Sequence, residues 1–134
     1  MNYLSKEDLL DLHTLVVMQY GGRLGIASQD RLMHALDAPH QVLFHTELYP
    51  DIFSKAAIQT FLLLNQRPFI SNNEGTALLA MLRFLEINGV TLREEIGSPE
   101  LLWLIRAVSY AELDRNGIEQ WLRDNTLQKV EMSD

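Results

Sequence analysis

The sequence predicts an all-α protein: a compact single-domain helical bundle with two central apolar helices. Three observations carry that expectation. Apolar residues recur at helical spacing in six segments, and most of these segments open on a capping residue or close on Gly or Pro. Strand-like alternation is confined to a stub at Val90, Thr91 and Leu92. Two segments are apolar around most of their circumference, as helices packed on several sides must be.

The first helix is expected from the capping-box-like start Ser5-Lys6-Glu7-Asp8 to Tyr20, with Leu9, Leu12, His13, Val16 and Val17 at helical spacing and Gly21-Gly22 as its stop. A shorter helix follows from the cap Ser28 to Ala38, with Leu32, Met33 and Leu36 on one side and Pro39 ending it. His40 to Tyr49 has no period and reads as loop. From Pro50, permitted in a first helical turn, Ile52, Phe53, Ala56, Ala57, Ile58 and Phe61 to Leu64 form the first all-round apolar helix. A polar break, Asn65 to Gly75, leads to the second, Thr76 to Asn88, closed by Gly89. These two should form the centre, with the amphipathic helices around them. Ser98-Pro99 then reads as a cap and first-turn proline for a helix to about Ala111, and Asn116 with Glu119 as a capping box for a last helix through Trp121 and Leu122 to Asp124. The domain is expected over 1–127 and a polar tail over 128–134.

The 134 residues hold 18 acids against 11 Lys plus Arg, a net charge of −7. One domain of this size buries enough surface for an independent core. The absence of cysteine removes disulfides, thiolate zinc sites and a cysteine nucleophile, and suits a reducing cytosol. The acidic balance disfavours nucleic acid, whose affinity rests on Lys and Arg contacts to phosphate. The longest apolar run, Ala77 to Leu82, is far short of a membrane span, and charged residues at the N-terminus do not suit a signal peptide, so a cytoplasmic protein is expected. His34, His40 and His45 lack the spacing of a helical metal pair, and no metal site is expected. His13 reads as a hydrogen-bonded structural histidine. Trp103 and Trp121 read as core or half-buried packing.

The segment Arg67-Pro68-Phe69-Ile70-Ser71-Asn72-Asn73-Glu74-Gly75-Thr76-Ala77, with Phe84-Leu85 and Asn88-Gly89 beyond it, resembles the Fic/Doc superfamily. The likeness is to its short death-on-curing toxins, whose signature is H-P-F-x-D-G-N-[GK]-R-T-A. Leu12-His13, Tyr20-Gly21-Gly22, Gly25-Ile26, Leu36 with Pro39, Glu47 to Pro50 and Lys55-Ala56-Ala57 resemble the same family's upstream pattern, so the likeness spans about Tyr3 to Leu122. The resemblance implies a compact helical domain. In active members it implies transfer of AMP or a phosphoryl group from a nucleotide to a protein hydroxyl, with a histidine base, an aspartate holding Mg²⁺, and Asn and basic residues cradling phosphates at a helix start. It also implies a toxin that acts on a translation elongation factor and is neutralised by an antitoxin.

Position by position the chain departs from that chemistry. Arg67 stands at the base position and cannot accept a proton. Ser71, a neutral ligand, replaces the metal-binding aspartate. Asn72 replaces a glycine that lies close to phosphate. Glu74 and Gly75 replace two phosphate-binding positions, the first with a carboxylate. Asn73 is retained, as are Pro68, Phe69, Thr76 and Ala77. Asn72 or Asn73 is expected to cap the following helix, with Glu74 satisfying its dipole. No catalytic residue is therefore assigned, and Asn73 is the only phosphate-site residue kept. The expected function is that of a pseudoenzyme binding another protein, antitoxin-like or target, without cofactor and with homo-oligomers allowed. The alternative is an active toxin that uses ATP and Mg²⁺ through altered site residues.

Overall fold

Ser5 opens α1 (Lys6–Tyr20) as predicted: its hydroxyl accepts from the Asp8 amide at 3.1 Å, and the Asp8 carboxylate accepts from the Ser5 amide at 2.8 Å. The computed structural model describes residues 1–128. Ser28 caps α2 (Gln29–Asp37), which tightens into a 3₁₀ turn over Ala38–His40, where Pro39 lacks the amide needed to continue. The segment read as loop contains a hairpin, β1 (Val42–Leu43) and β2 (Thr46–Glu47), with Val42 opposite Glu47. Strands of two residues are too short to leave an alternating pattern.

α3 (Ile52–Gln66) starts later than Pro50, because Asp51 and Ser54 form a reciprocal cap that leaves the proline outside. α4 (Asn73–Ile87) starts earlier than Thr76, so the polar Asn-Glu-Gly run is its first turn and the connecting loop is only 67–72. The stub β3 (Val90–Leu92) is a true strand, paired antiparallel with β4 (Thr126–Gln128). Gln128 is thus tied to Val90, and positions 129–134 of the expected tail lie outside the described residues.

Two caps differ from expectation. α5 (Ser98–Ser109) is capped at Gly97, whose amide donates to the Glu100 carboxylate at 2.8 Å, which leaves Ser98 inside the helix. α6 (Arg115–Asn125) is capped by Asp114, which accepts from the Gly117 amide at 2.9 Å, so Asn116 is a first-turn residue. Glu119 pairs with Arg115 and Arg123 instead of completing a box.

α3 lies at the centre, packed on α2, α4, α5 and α6, with α1 on the far side of α4. Leu63, Met81, Phe84, Leu85, Leu104 and Leu122 are among the fully buried side chains, each stabilising the fold by roughly 1.5–3 kcal/mol relative to exposure. Lys55 is 2% exposed and would be prohibitively desolvated alone. It donates to the Pro39 carbonyl at 2.8 Å and to Glu47 at 3.2 Å, which ties the hairpin to the core. Among the described residues no helix is long and apolar enough to cross a membrane.

Candidate functional site

The loop between the two central helices is bounded by two left-handed residues, Arg67 (φ 47°) and Asn72 (φ 58°). Asparagine tolerates this region better than most side chains, which is how it can stand in place of glycine at 72. Between them the backbone runs against residues 25–28: the amides of Ala27 and Ser28 donate to the Pro68 carbonyl at 2.7 and 3.1 Å, and that of Ile70 to Gly25 at 3.1 Å. Asn73 braces the loop from within. It is 2% exposed, accepts from the Phe69 amide at 2.9 Å and donates to the Phe69 carbonyl at 3.0 Å. The Phe69 ring is buried and stacked on His13 at a centroid distance of 4.0 Å, and His13 Nε2 donates to the Ser71 carbonyl at 2.9 Å.

Four of the positions that depart from the signature, Arg67, Ser71, Asn72 and Glu74, have an internal partner. Arg67 is ion-paired with Glu74. Burial pushes the Glu74 carboxyl up, but the hydrogen bond from Arg67, that from its own backbone amide and the Arg67 charge outweigh it and hold the group below the ordinary carboxylate value. Ser71 Oγ accepts from the Arg23 amide and donates to the Arg23 carbonyl, both at 2.9 Å. Asn72 Nδ2 donates to the Gly21 carbonyl at 2.7 Å. Asn72 stands at the N-cap position of α4 as expected, but neither asparagine side chain bonds the helix amides: Asn72 reaches across the loop and Asn73 behind it. Gly22 (φ +113°) allows this closeness, since a Cβ there would stand 2.7 Å from Asn72 Oδ1 and 2.8 Å from Ser71 Oγ.

Gly75 is also shaped by a neighbour. A Cβ on it would lie 2.9 Å from Cγ1 of Val16, a β-branched side chain with little freedom to turn away. The surrounding scaffold is therefore adapted to glycine, not merely missing a longer side chain. Thr76, next along, is fully buried, and its hydroxyl finds no hydrogen-bond partner among the described residues.

Gly75 opens onto a feature that the sequence reading missed, a groove of about 540 Å³ between α1, α4 and α5. Val16, Tyr20, Leu78, Leu79, Leu101 and Leu102 are prominent in its walls. The available signal was Leu15, Met18 and Tyr20, apolar positions on the outer side of α1 that remain exposed. Leu78 and Leu79 are half-buried in the groove, although the all-round apolar pattern of α4 reads as core. Trp103 likewise departs from expectation: it is 55% exposed on α5, whereas Trp121 packs on the core. Among the described residues no three His, Asp or Glu side chains converge as a metal site would require.

A six-helix domain, a braced loop between its central helices and an apolar groove at the start of the second one together delimit the class. The chain belongs to the Fic/DOC family, which it matches over residues 3–85. Among its relatives, the "Protein kinase doc" of Escherichia phage P1 is 32% identical over 125 residues, covering 92% of this chain and 94% of that protein. The "Toxin Doc" of Mycolicibacterium smegmatis is 28% identical over 116 residues, 87% of either chain.

Proposed function

We propose that this chain is a Fic/DOC domain that has given up group transfer and works by binding another protein. The observation that carries this reading is the Arg67–Glu74 ion pair. It joins the position that corresponds to the family's base, here a guanidinium that cannot accept a proton, to one that corresponds to a phosphate ligand, here a carboxylate, so an anion stands where a phosphate would be held. The residues present do not fit the family's nucleotide and Mg²⁺. Arg67 is permanently protonated, the Ser71 hydroxyl is committed to the Arg23 backbone, and Val16 leaves no room for a side chain at position 75. No cofactor is assigned.

Binding requires a surface, and the groove beside Gly75 is suited to an apolar helical segment presenting side chains one turn apart. The relatives are a toxin and a protein kinase by name, and the partner we assign is an antitoxin-like protein or the target of a related toxin, met in the cytoplasm. The net charge of −7 would favour encounter with a partner whose flanks are basic.

Calorimetric titration with ATP and Mg²⁺ tests the reading, together with growth after induced expression. Absence of nucleotide binding and undisturbed growth are expected. Saturable Mg·ATP binding, or arrest abolished by Ser71→Ala, would favour the second reading suggested by the phage relative's name, an active phosphotransferase with an altered site.

A further inference from the structure

An Asn-Gly step is where a polypeptide most readily modifies itself, because glycine has no side chain to keep its nitrogen away from the asparagine side-chain carbonyl. The chain holds two such steps, Asn88-Gly89 and Asn116-Gly117, and the fold treats them differently. Both glycine amides are engaged, Gly89 with the Glu86 carbonyl at 3.1 Å and Gly117 with the Asp114 carboxylate at 2.9 Å. The asparagine side chains differ. Asn88 is half-buried: its Oδ1 accepts from the Asn2 amide at 2.8 Å, and its Nδ2 donates to the carbonyls of Asn2 at 2.9 Å and Phe84 at 2.8 Å. Asn116 is exposed in the first turn of α6, and the side-chain hydrogen bonds around that helix pass it by.

We propose that Asn116 is a site of spontaneous deamidation, while the same dipeptide at Asn88 is protected by the fold. The Gly117 nitrogen gives its proton to solvent and bonds to the Asn116 side-chain carbonyl carbon, and the side-chain nitrogen leaves as ammonia. Water then opens the cyclic imide. Cleavage of the new bond gives aspartate, and cleavage of the original peptide bond gives isoaspartate, with the main chain rerouted through the side chain. Water is the only co-reactant. Ring closure requires the asparagine to leave the helical conformation and the glycine amide to leave its acceptor. At Asn116 this takes only the opening of a terminal turn held by the Asp114 cap, the kind of local opening that costs least. At Asn88 three side-chain bonds must break as well, and the chain end that carries buried Leu4 must come away.

Glycine at 117 is not free to change, since a Cβ there would stand 2.3 Å from Cδ1 of Leu113, which packs against the core. The two products act in opposite directions. Aspartate at 116 places an acid in the first turn of α6, where the helix dipole favours it. Isoaspartate inserts an extra main-chain carbon two residues before buried Ile118 and interrupts that turn. It thereby loosens the helix whose arginines hold the approach to α3, Arg123 on Asp51 at 2.7 Å and Arg115 over the Tyr49 ring at 5.2 Å.

Peptide mass mapping of the folded protein, kept for weeks at growth temperature and mildly alkaline pH, reads the exchange of –NH₂ for –OH at each step. Asn116 should convert at least about tenfold faster than Asn88, and in urea the two rates should converge. Asp114→Ala, with circular dichroism unchanged, should speed conversion at 116 about threefold or more and leave 88 as it was. The isoaspartate form, separated by chromatography, should melt below the unmodified protein. Equal rates at the two steps of the folded protein overturn the proposal, as does a folded chain that stays intact at 116 while the unfolded chain converts. A rate at 116 indifferent to Asp114→Ala, or an isoaspartate form as stable as the original, overturns it too.

Discussion

The segment 67–75, the loop with the first turn of α4, and the groove between α1, α4 and α5 meet at Gly75 and are finished in opposite ways. In the loop, Arg67, Ser71, Asn72, Asn73 and Glu74 are all engaged with other atoms of the same chain. In the groove, Leu15, Tyr20 and Leu102 remain open to water. Polar groups that hold each other are poorly placed to hold a ligand, since binding must first break bonds already made. Apolar surface left exposed has free energy to gain from being covered, at about 25 cal/mol per Å². The difference places exposed apolar surface beside the loop, not in it.

The largest expected effect tests how far the loop depends on its own bonds. Asn73→Ala removes the partners of both the amide and the carbonyl of buried Phe69 and should destabilise the protein by about 2–4 kcal/mol, read from the denaturation midpoint. A loss below about 1 kcal/mol would mean that the loop is held from elsewhere.

Next in size is the junction itself. Gly75→Ala places a methyl against Val16 and should cost about 1–3 kcal/mol, with most of it recovered in a double-mutant cycle by Val16→Ala. Independent, additive effects would remove the claim that Val16 has closed the site. The same contact makes a specific demand on any attempt to rebuild the signature. Arg67→His, Ser71→Asp, Asn72→Gly, Glu74→Lys and Gly75→Arg together should not restore Mg·ATP binding unless Val16 is also reduced.

The smallest effect is electrostatic. Glu74 has a folded-state pKa below its unfolded value, so its contribution to stability is present above that unfolded value, ordinarily 4.5, and fades as pH falls through the depressed one. The pair is largely solvent-exposed, so Glu74→Gln should change stability at neutral pH by less than about 1 kcal/mol. Carboxyl carbon NMR should show Glu74 titrating below 4.5, and Arg67→Met should raise its midpoint. An unshifted midpoint in the intact protein would mean that the ion pair does not persist in solution.

Much of this was legible in residue order. The reciprocal cap of Ser5 and Asp8, the cap at Ser28, the central pair of apolar helices and the strand stub at Val90 all rest on interactions within a few positions or on periodicity. The errors share a cause. Pro50 and Ser98 were plausible starts by residue type, but Asp51 and Gly97 became the caps because their neighbours at the third helical position, Ser54 and Glu100, reach back to them. Asn116 with Glu119 fits a capping box in one dimension, yet Asp114 lies where the amide of Gly117 can be reached and Glu119 is drawn to two arginines. Asn72 takes the cap position of α4, yet its side chain spans 51 positions to Gly21 instead of bonding the helix amides.

Residue identity alone indicates a predominantly helical chain with no proton acceptor at 67, no carboxylate at 71 and no basic side chain at 74 or 75, because acidity and ligand strength belong to the side chain wherever it sits. Only the tertiary structure decides what those positions do instead. The bonds from Ser71 to Arg23, from Asn72 to Gly21 and from His13 to Ser71 join groups 48 to 58 positions apart, and the contact that reserves position 75 for glycine comes from another helix. Whether a polar atom is free or satisfied, and whether an apolar side chain is core or groove wall, depends on which surfaces folding brings within a few ångströms. No local pattern carries that distance.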